Sequence, residues 1–148
     1  MRGIPTITVL LLALALAACQ PMGPMPGGEL SGTVAPAPAD WTAADAAEIV
    51  QLETRPASPY SVNIWGVGIG PAYYVAAGGG ETTWTANIAA DPAVRLKVGE
   101  AIYELRAVRV TDPAELDVVR LAYGRKYEMS DDQREQSGSA TVYRLEPR

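Results

Sequence analysis

Residues 49–54, IVQLET, alternate apolar and polar positions, with Val50, Leu52 and Thr54 on one side and Gln51 and Glu53 on the other. That period of two predicts a half-buried strand. The stretch RPASP at 55–59 breaks it, because its two prolines cannot donate to a ladder. A second run, YSVNIWGVGIG at 60–70, places Val62 and Ile64 on one face and Ser61, Asn63, Trp65 and Val67 on the other, and AYYVAA at 72–77 returns as its hairpin partner. Gly78-Gly79-Gly80 frees the backbone before TWTANIAA at 83–90, a short helix that Asp91-Pro92 stops, since a residue before proline is driven out of the helical region. Val94, Leu96 and Val98 then alternate with Arg95 and Lys97. The Gly99-Glu100 pair follows, its leading glycine suiting a type II′ hairpin. On the long return strand Tyr103, Leu105 and Ala107 share one side while Val108 and Val110 take the other parity, which predicts a bulge near Ala107 and Val108.

Asp112-Pro113-Ala114-Glu115 spells a helix start: a capping carboxylate, proline at the first helical position and an acid two residues later. The helix is expected to reach about Tyr127, with Leu116, Val119, Tyr123 and Tyr127 as its packing face. Residues 129–138 are polar and read as a mobile loop, and ATVYRL at 140–145 reads as a closing strand. Six strands and two main helices, joined by sequential hairpins without βαβ repetition, predict a mainly β (α+β) fold, an antiparallel barrel with helices on its side.

The N-terminal end has its own logic. MRGIPTITVLLLALALAACQ carries one early positive charge, a short apolar run and then Leu16-Ala17-Ala18-Cys19, the pattern of a bacterial lipoprotein signal comprising residues 1–18. The run is too short to span a bilayer, which takes about 20 residues. Cys19 is the only cysteine, which excludes an intramolecular disulfide and makes it the expected lipidation site, with acyl chains fixing the chain to the membrane. Gln20 in place of aspartate points to the outer membrane facing the periplasm. Residues 19–39, the lipidated cysteine and a Pro- and Gly-rich stretch, read as a flexible tether reaching roughly 25 Å, and residues 40–148 as one folded domain, opened by a helical turn at Trp41-Thr42-Ala43-Ala44-Asp45.

Charge and composition narrow the chemistry. The chain has 12 Lys and Arg against 17 Asp and Glu, a net charge of −5, and no basic cluster, which argues against nucleic acid. It has no histidine, which removes His-ligated haem, His-containing zinc sites and His-based nucleophile triads. No metal site is expected, and no serine stands at nucleophile-elbow spacing.

The order strand, strand, strand, a helix ending in Asn-hydrophobic-x-x-Asp-Pro, hairpin, helix, strand resembles the FMN-binding split β-barrel superfamily, which includes pyridoxamine-phosphate-oxidase-like proteins and deazaflavin-dependent nitroreductases. Trp84 stands three residues before Asn87-Ile88, as a Trp commonly stands before Asn-Leu in the deazaflavin branch. Ser61 to Trp65, Ala122 to Tyr127 and Arg144 to Arg148 are similar to a small subgroup of that superfamily. The resemblance covers roughly residues 41–148. It implies a homodimer with FMN or deazaflavin in a groove between barrel and helix. Candidate cofactor-binding residues are Arg55, Ser61, Asn63, Trp65, Thr82, Thr83, Trp84, Asn87, Arg125 and Lys126. The physical grounds are a glycine loop running into a helix N-terminus that can cradle an anion, the aromatic faces of Trp65 and Trp84, and cations that can pair with phosphate.

Each of these residues also has a plain structural role available, and Glu81 places a repelling carboxylate ahead of the candidate helix. Two functional readings follow. The first is a membrane-anchored envelope lipoprotein whose split barrel is a ligand-binding or interaction module with a degenerate cofactor site. The second is a flavin- or deazaflavin-dependent oxidoreductase of the nitro or quinone reductase type.

Overall fold

A computed structural model describes residues 20–148; the expected signal peptide and Cys19 lie outside the described residues. Eight strands form one curled sheet: β1 (Thr33–Ala35), β2 (Val50–Thr54), β3 (Tyr60–Ile64), β4 (Gly66–Ile69), β5 (Ala72–Ala77), β6 (Ala93–Val98), β7 (Ala101–Arg109) and β8 (Thr141–Pro147). Three α-helices accompany them: α1 (Thr83–Ala90), α2 (Pro113–Lys126) and α3 (Asp131–Gln136). The strand order is β3-β2-β6-β7-β8-β5-β4, all neighbours antiparallel, while β1 pairs parallel with the first residues of β7. The expected mainly β, split-barrel architecture is the one observed.

The strand count rises from six to eight for two reasons. The run 60–70 is two strands, because the chain leaves one edge of the sheet at Ile64 and begins the other edge at Gly66. Trp65 is the single residue at that crossing, where the barrel is split. The other added strand is β1, from the stretch expected to be a free tether.

That stretch is fastened to the barrel. Leu30 is 2% exposed, a burial that removes a leucine from water for about 2 kcal/mol. Gly27 exchanges backbone hydrogen bonds with Ser61, and Thr33 N–H donates to Glu100 O. Leu30 N–H donates to the Glu53 carboxylate at 2.7 Å, and Arg95 Nη1 donates to the same carboxylate at 3.0 Å. Proline and glycine content misled the tether expectation: these residues lack side chains for a core of their own, but the outer face of β2, β3 and β6 supplies polar partners. Glu53, expected in solvent by alternation, is therefore 2% exposed.

The bulge expected near Ala107 and Val108 is absent, since β7 keeps an unbroken register with β8 from Leu105↔Pro147 to Arg109↔Tyr143. Both faces of this part of the sheet are covered instead. Leu105 and Ala107 enter the barrel core with Leu52, Tyr73, Val75, Trp84 and Leu96. Val110 joins Val67, Tyr74, Val119 and Val142 under α2. The segment expected to be a mobile loop holds α3, started by a reciprocal Ser130 and Gln133 capping box. The expected starts of α1 and α2 are seen: Thr82 caps Thr85 N–H, and Asp112 caps Ala114 N–H ahead of Pro113.

Candidate functional site

The split at Trp65 is where the structure concentrates unusual geometry. Its indole is 45% exposed and stacks on Tyr127 with ring centroids 4.2 Å apart and planes 8° from parallel. Tyr123 on α2 and Tyr127, the C-terminal cap one turn later, lie on the face that packs towards β4 and β5. Tyr123 Oη donates to Trp65 O at 3.1 Å. Tyr127 Oη receives Gly66 N–H at 3.0 Å and lies 2.8 Å from Glu48 O. Burial raises the pKa of both phenols, Tyr123 well above its ordinary value, with a neighbouring phenol adding to the effect at Tyr123. Both stay protonated at neutral pH: Tyr123 donates to the Trp65 carbonyl, while Tyr127 bonds Glu48 O and Gly66 and stacks its ring on the indole.

Two cavities meet at this indole. One, of about 150 Å³, is largely apolar and lies between the sheet and α2; Trp65, Ala76, Gly78, Tyr123, Met129 and Val142 are among its walls. The other, of about 400 Å³, is polar and includes Asp45, Glu48, Lys126 and Tyr127. Lys126 Nζ is held there by Asp45 Oδ1 at 3.1 Å and Gly66 O at 2.7 Å, and lies 5.3 Å from the centre of the Tyr127 ring. Asp45 Oδ1 also accepts Gly68 N–H at 2.9 Å, so the ion pair closes the barrel seam.

The sequence-derived candidates fall into three sets. Trp65 and Lys126 meet at the seam, with Arg125 exposed beside them. Ser61 and Asn63 hold the N-terminal segment: Ser61 Oγ donates to Gly28 O at 2.7 Å, and Asn63 Nδ2 donates to Pro21 O at 3.2 Å and Gly23 O at 3.3 Å. The third set surrounds α1. Asn87 Nδ2 donates to Thr54 Oγ1 at 3.0 Å, next in sequence to Arg55. Arg55 is exposed at φ +56°, and its Nε donates to Ser58 O at 2.7 Å. No carboxylate pairs with it among the described residues. Thr82 caps α1, Thr83 is exposed in its first turn, and no acid lies in that turn.

Trp84 offers no stacking face: it is 7% exposed, with its ring 5.7 Å from that of Tyr143 in the barrel core. An aromatic at the second position of a helix that plugs a barrel is drawn inward by area. Residues that sequence reasoning left in a packing role, Tyr123 and Tyr127, prove to organise the seam. Their spacing of four was visible, but the backbone groups that their hydroxyls reach come from the sheet edges and not from local sequence.

The sets around α1 and Trp65 are joined by a short span. Gly78 lines the apolar cavity, and Thr82 caps α1. Four residue steps separate them, at most about 14 Å even if fully extended. Across the loop a Cβ on Gly78, Gly79 or Gly80 would meet nothing within 4 Å, and Gly80 has φ +93°. The Trp65 cavity and the N-terminus of α1 are therefore joined by a short loop with open space beside its glycines.

Comparison with known proteins gives a consistent picture. The family described as F420H(2)-dependent quinone reductase matches residues 52–146. Among solved structures, a chain described as an F420-H2 dependent reductase is 14% identical with a TM-score of 0.59, covering 80% of this chain and all of that one, 100%. A putative pyridoxamine 5'-phosphate oxidase from Listeria innocua is 15% identical with a TM-score of 0.56, covering 70% and 86%. A third, described as a domain-swapped dimer, is 17% identical with a TM-score of 0.58, covering 67% and 80%. At such identities these likenesses show the fold. A search of curated proteins finds no match.

Proposed function

The chain belongs to the F420H(2)-dependent quinone reductase family, and from that premise we propose that it is a deazaflavin-dependent reductase acting on a quinone-type acceptor. The observation that carries the reading is that the matched residues include both the Trp65 cavity and the uncompensated Arg55 beside α1.

The donor set suits the cofactor's chemistry. Arg55, next to the Thr54 that Asn87 holds, and the Thr83 and Trp84 amides at the start of α1 would hold a phosphate. Trp65, Ala76 and Val142 would border a flat apolar ring. When bound, a reduced deazaflavin supplies a hydride, the two-electron equivalent that a quinone takes up with a proton from water. The protein's share is to orient and to exclude water. Tyr123 and Tyr127 fix Trp65 through its carbonyl and its ring, and the small residues of the Gly78 loop allow close approach.

The cavity of about 150 Å³ in one chain is smaller than the 300 Å³ or so at the lower end of ordinary ligand sites. A second copy completing the groove explains the difference, and the likeness to a domain-swapped dimer supports a homodimer. Anchoring belongs to the same proposal: Cys19 is lipidated after cleavage of residues 1–18, which places the reductase on the outer membrane facing the periplasm, beside lipid-soluble acceptors.

Family membership favours this reading over the ligand-binding or interaction module, which rests on Glu81 ahead of α1 and on the burial of Trp84. An anaerobic assay separates them. Oxidation of reduced deazaflavin by a soluble quinone, dependent on the protein and saturable in both substrates, supports the reductase. A folded protein with no such turnover and no deazaflavin binding leaves the module.

A further inference from the structure

The fastening of residues 20–35 fixes where anything attached to residue 19 must emerge. Pro21 is buried, its carbonyl held by Asn63 Nδ2 at 3.2 Å. Directly after it, Met22 and Met25 exchange backbone hydrogen bonds at 3.0 and 2.8 Å around Gly23, whose φ is +51°. This tight turn pushes two methionine side chains outward, 71% and 65% exposed. Asn63 in turn accepts Gln51 Nε2 at 3.1 Å. Two residues along from this pair, just past the ends of its two strands, about 7 Å at strand rise, stand Ile49 and Trp65, 49% and 45% exposed. Four of the seven large exposed apolar side chains among the described residues thus surround the point where the chain arrives from Cys19.

We propose that this face, formed by Met22, Met25, Ile49 and Trp65, seats on the lipid bilayer and sets the orientation of the domain. The occupant follows from the chain itself. A lipid on Cys19 is two residues from buried Pro21, so a flexible reach of roughly 25 Å is replaced by a reach of a few residues, and the apolar turn is carried to the membrane surface. Unbranched methionines adapt to an irregular apolar phase, and a half-exposed indole suits the interface between headgroups and acyl chains. The chain's net charge of −5 gives acidic headgroups no electrostatic hold, so the contact is apolar and insensitive to salt. The mouth of the Trp65 cavity then opens beside the bilayer. This inference rests on the anchoring part of the proposed function, and its test keeps the two apart.

The test uses the full chain, expressed in a bacterial host and reconstituted into phosphatidylcholine vesicles with or without bromine on the acyl chains. Trp41 and Trp84 are 1% and 7% exposed, so Trp65 is the indole open to contact quenching, and Trp65→Tyr identifies its share of the emission. The expected result is loss of the Trp65 component in brominated vesicles, unchanged in high salt and relieved in a Met22→Asp, Met25→Asp double variant that keeps the wild-type circular dichroism. Intact mass reads the lipid on Cys19 separately. Acyl chains on Cys19 with no quenching of Trp65 overturn the seating face and leave the anchor standing. Unmodified Cys19 overturns the anchor, and quenching at saturating vesicle concentration then decides the face by itself.

Discussion

Leu30 and Glu53, distant in sequence, share a buried hydrogen bond of 2.7 Å, the backbone N–H of one donating to the carboxylate of the other. Glu53 lies on the side of β2 that faces away from the barrel core, yet it is 2% exposed, because residues 20–35 lie across it. The same carboxylate takes Arg95 Nη1 at 3.0 Å. One acid on the barrel wall thus holds the N-terminal segment and neutralises a largely buried cation.

Removing that acid should release the segment. Glu53→Ala leaves the Leu30 amide and the Arg95 guanidinium without their carboxylate, and breaking a buried pair from one side costs about 3–5 kcal/mol. Denaturant unfolding reads the loss, and hydrogen exchange should quicken first across residues 27–35. Unchanged exchange there would show that Glu53 does not hold the segment.

Tyr73 gives a second test with the opposite sign. Its hydroxyl is buried with no hydrogen-bond partner in a fully buried side chain, so Tyr73→Phe should stabilise the barrel by about 1 kcal/mol. The ring packs where a side chain on Gly66 would go, 2.5 Å from Tyr73 Cε1. Gly66→Ala should therefore cost about 1–3 kcal/mol by overpacking. Thermal melts of the two variants decide both expectations.

Alkaline pH should unfold the protein through its tyrosines. Burial, with help from the Glu115 carboxylate, pushes Tyr74 up to about 12, and burial raises Tyr73, Tyr123, Tyr127 and Tyr143 as well. A phenol whose folded pKa exceeds its unfolded value of about 10 binds its proton more tightly when folded. Its stabilisation is whole below pH 10 and is lost as pH rises towards 12. Phenolate absorbance should therefore appear together with loss of circular dichroism, and early ionisation of all seven tyrosines in a still-folded protein would contradict this. At the acid end, the hydrogen bond from Arg144 lowers the Glu115 pKa, so its contribution is present above the ordinary carboxylate range and fades as pH falls below it.

The strand faces, the hairpin order and the helix starts were legible because they obey local rules: period two at residues 49–54, proline after a capping aspartate at residue 112, a threonine cap before α1. What local rules missed depended on distant partners. Residues 20–39 look like a tether until the Glu53 carboxylate and Ser61 offer them hydrogen bonds. Trp65 looks like one more strand position until the sheet order shows that it joins both edges. By pattern Trp84 suits either a ligand or the core, and its burial puts it in the core. Arg55 and Asn87 are candidates by residue type, while Tyr123 and Tyr127 need the fold to bring β3, β4 and α2 together.

In the proposed reductase, Arg55 and the start of α1 hold the anionic end of a deazaflavin. The most direct measurement is equilibrium titration of the folded protein with that cofactor, comparing wild type with Arg55→Glu. Saturable binding by the wild type is expected, with at least about a tenfold loss in the variant, the equivalent of about 1.4 kcal/mol for one charge-assisted hydrogen bond. Equal affinity in the two proteins, or no saturable binding by a well-folded wild type, would contradict that reading.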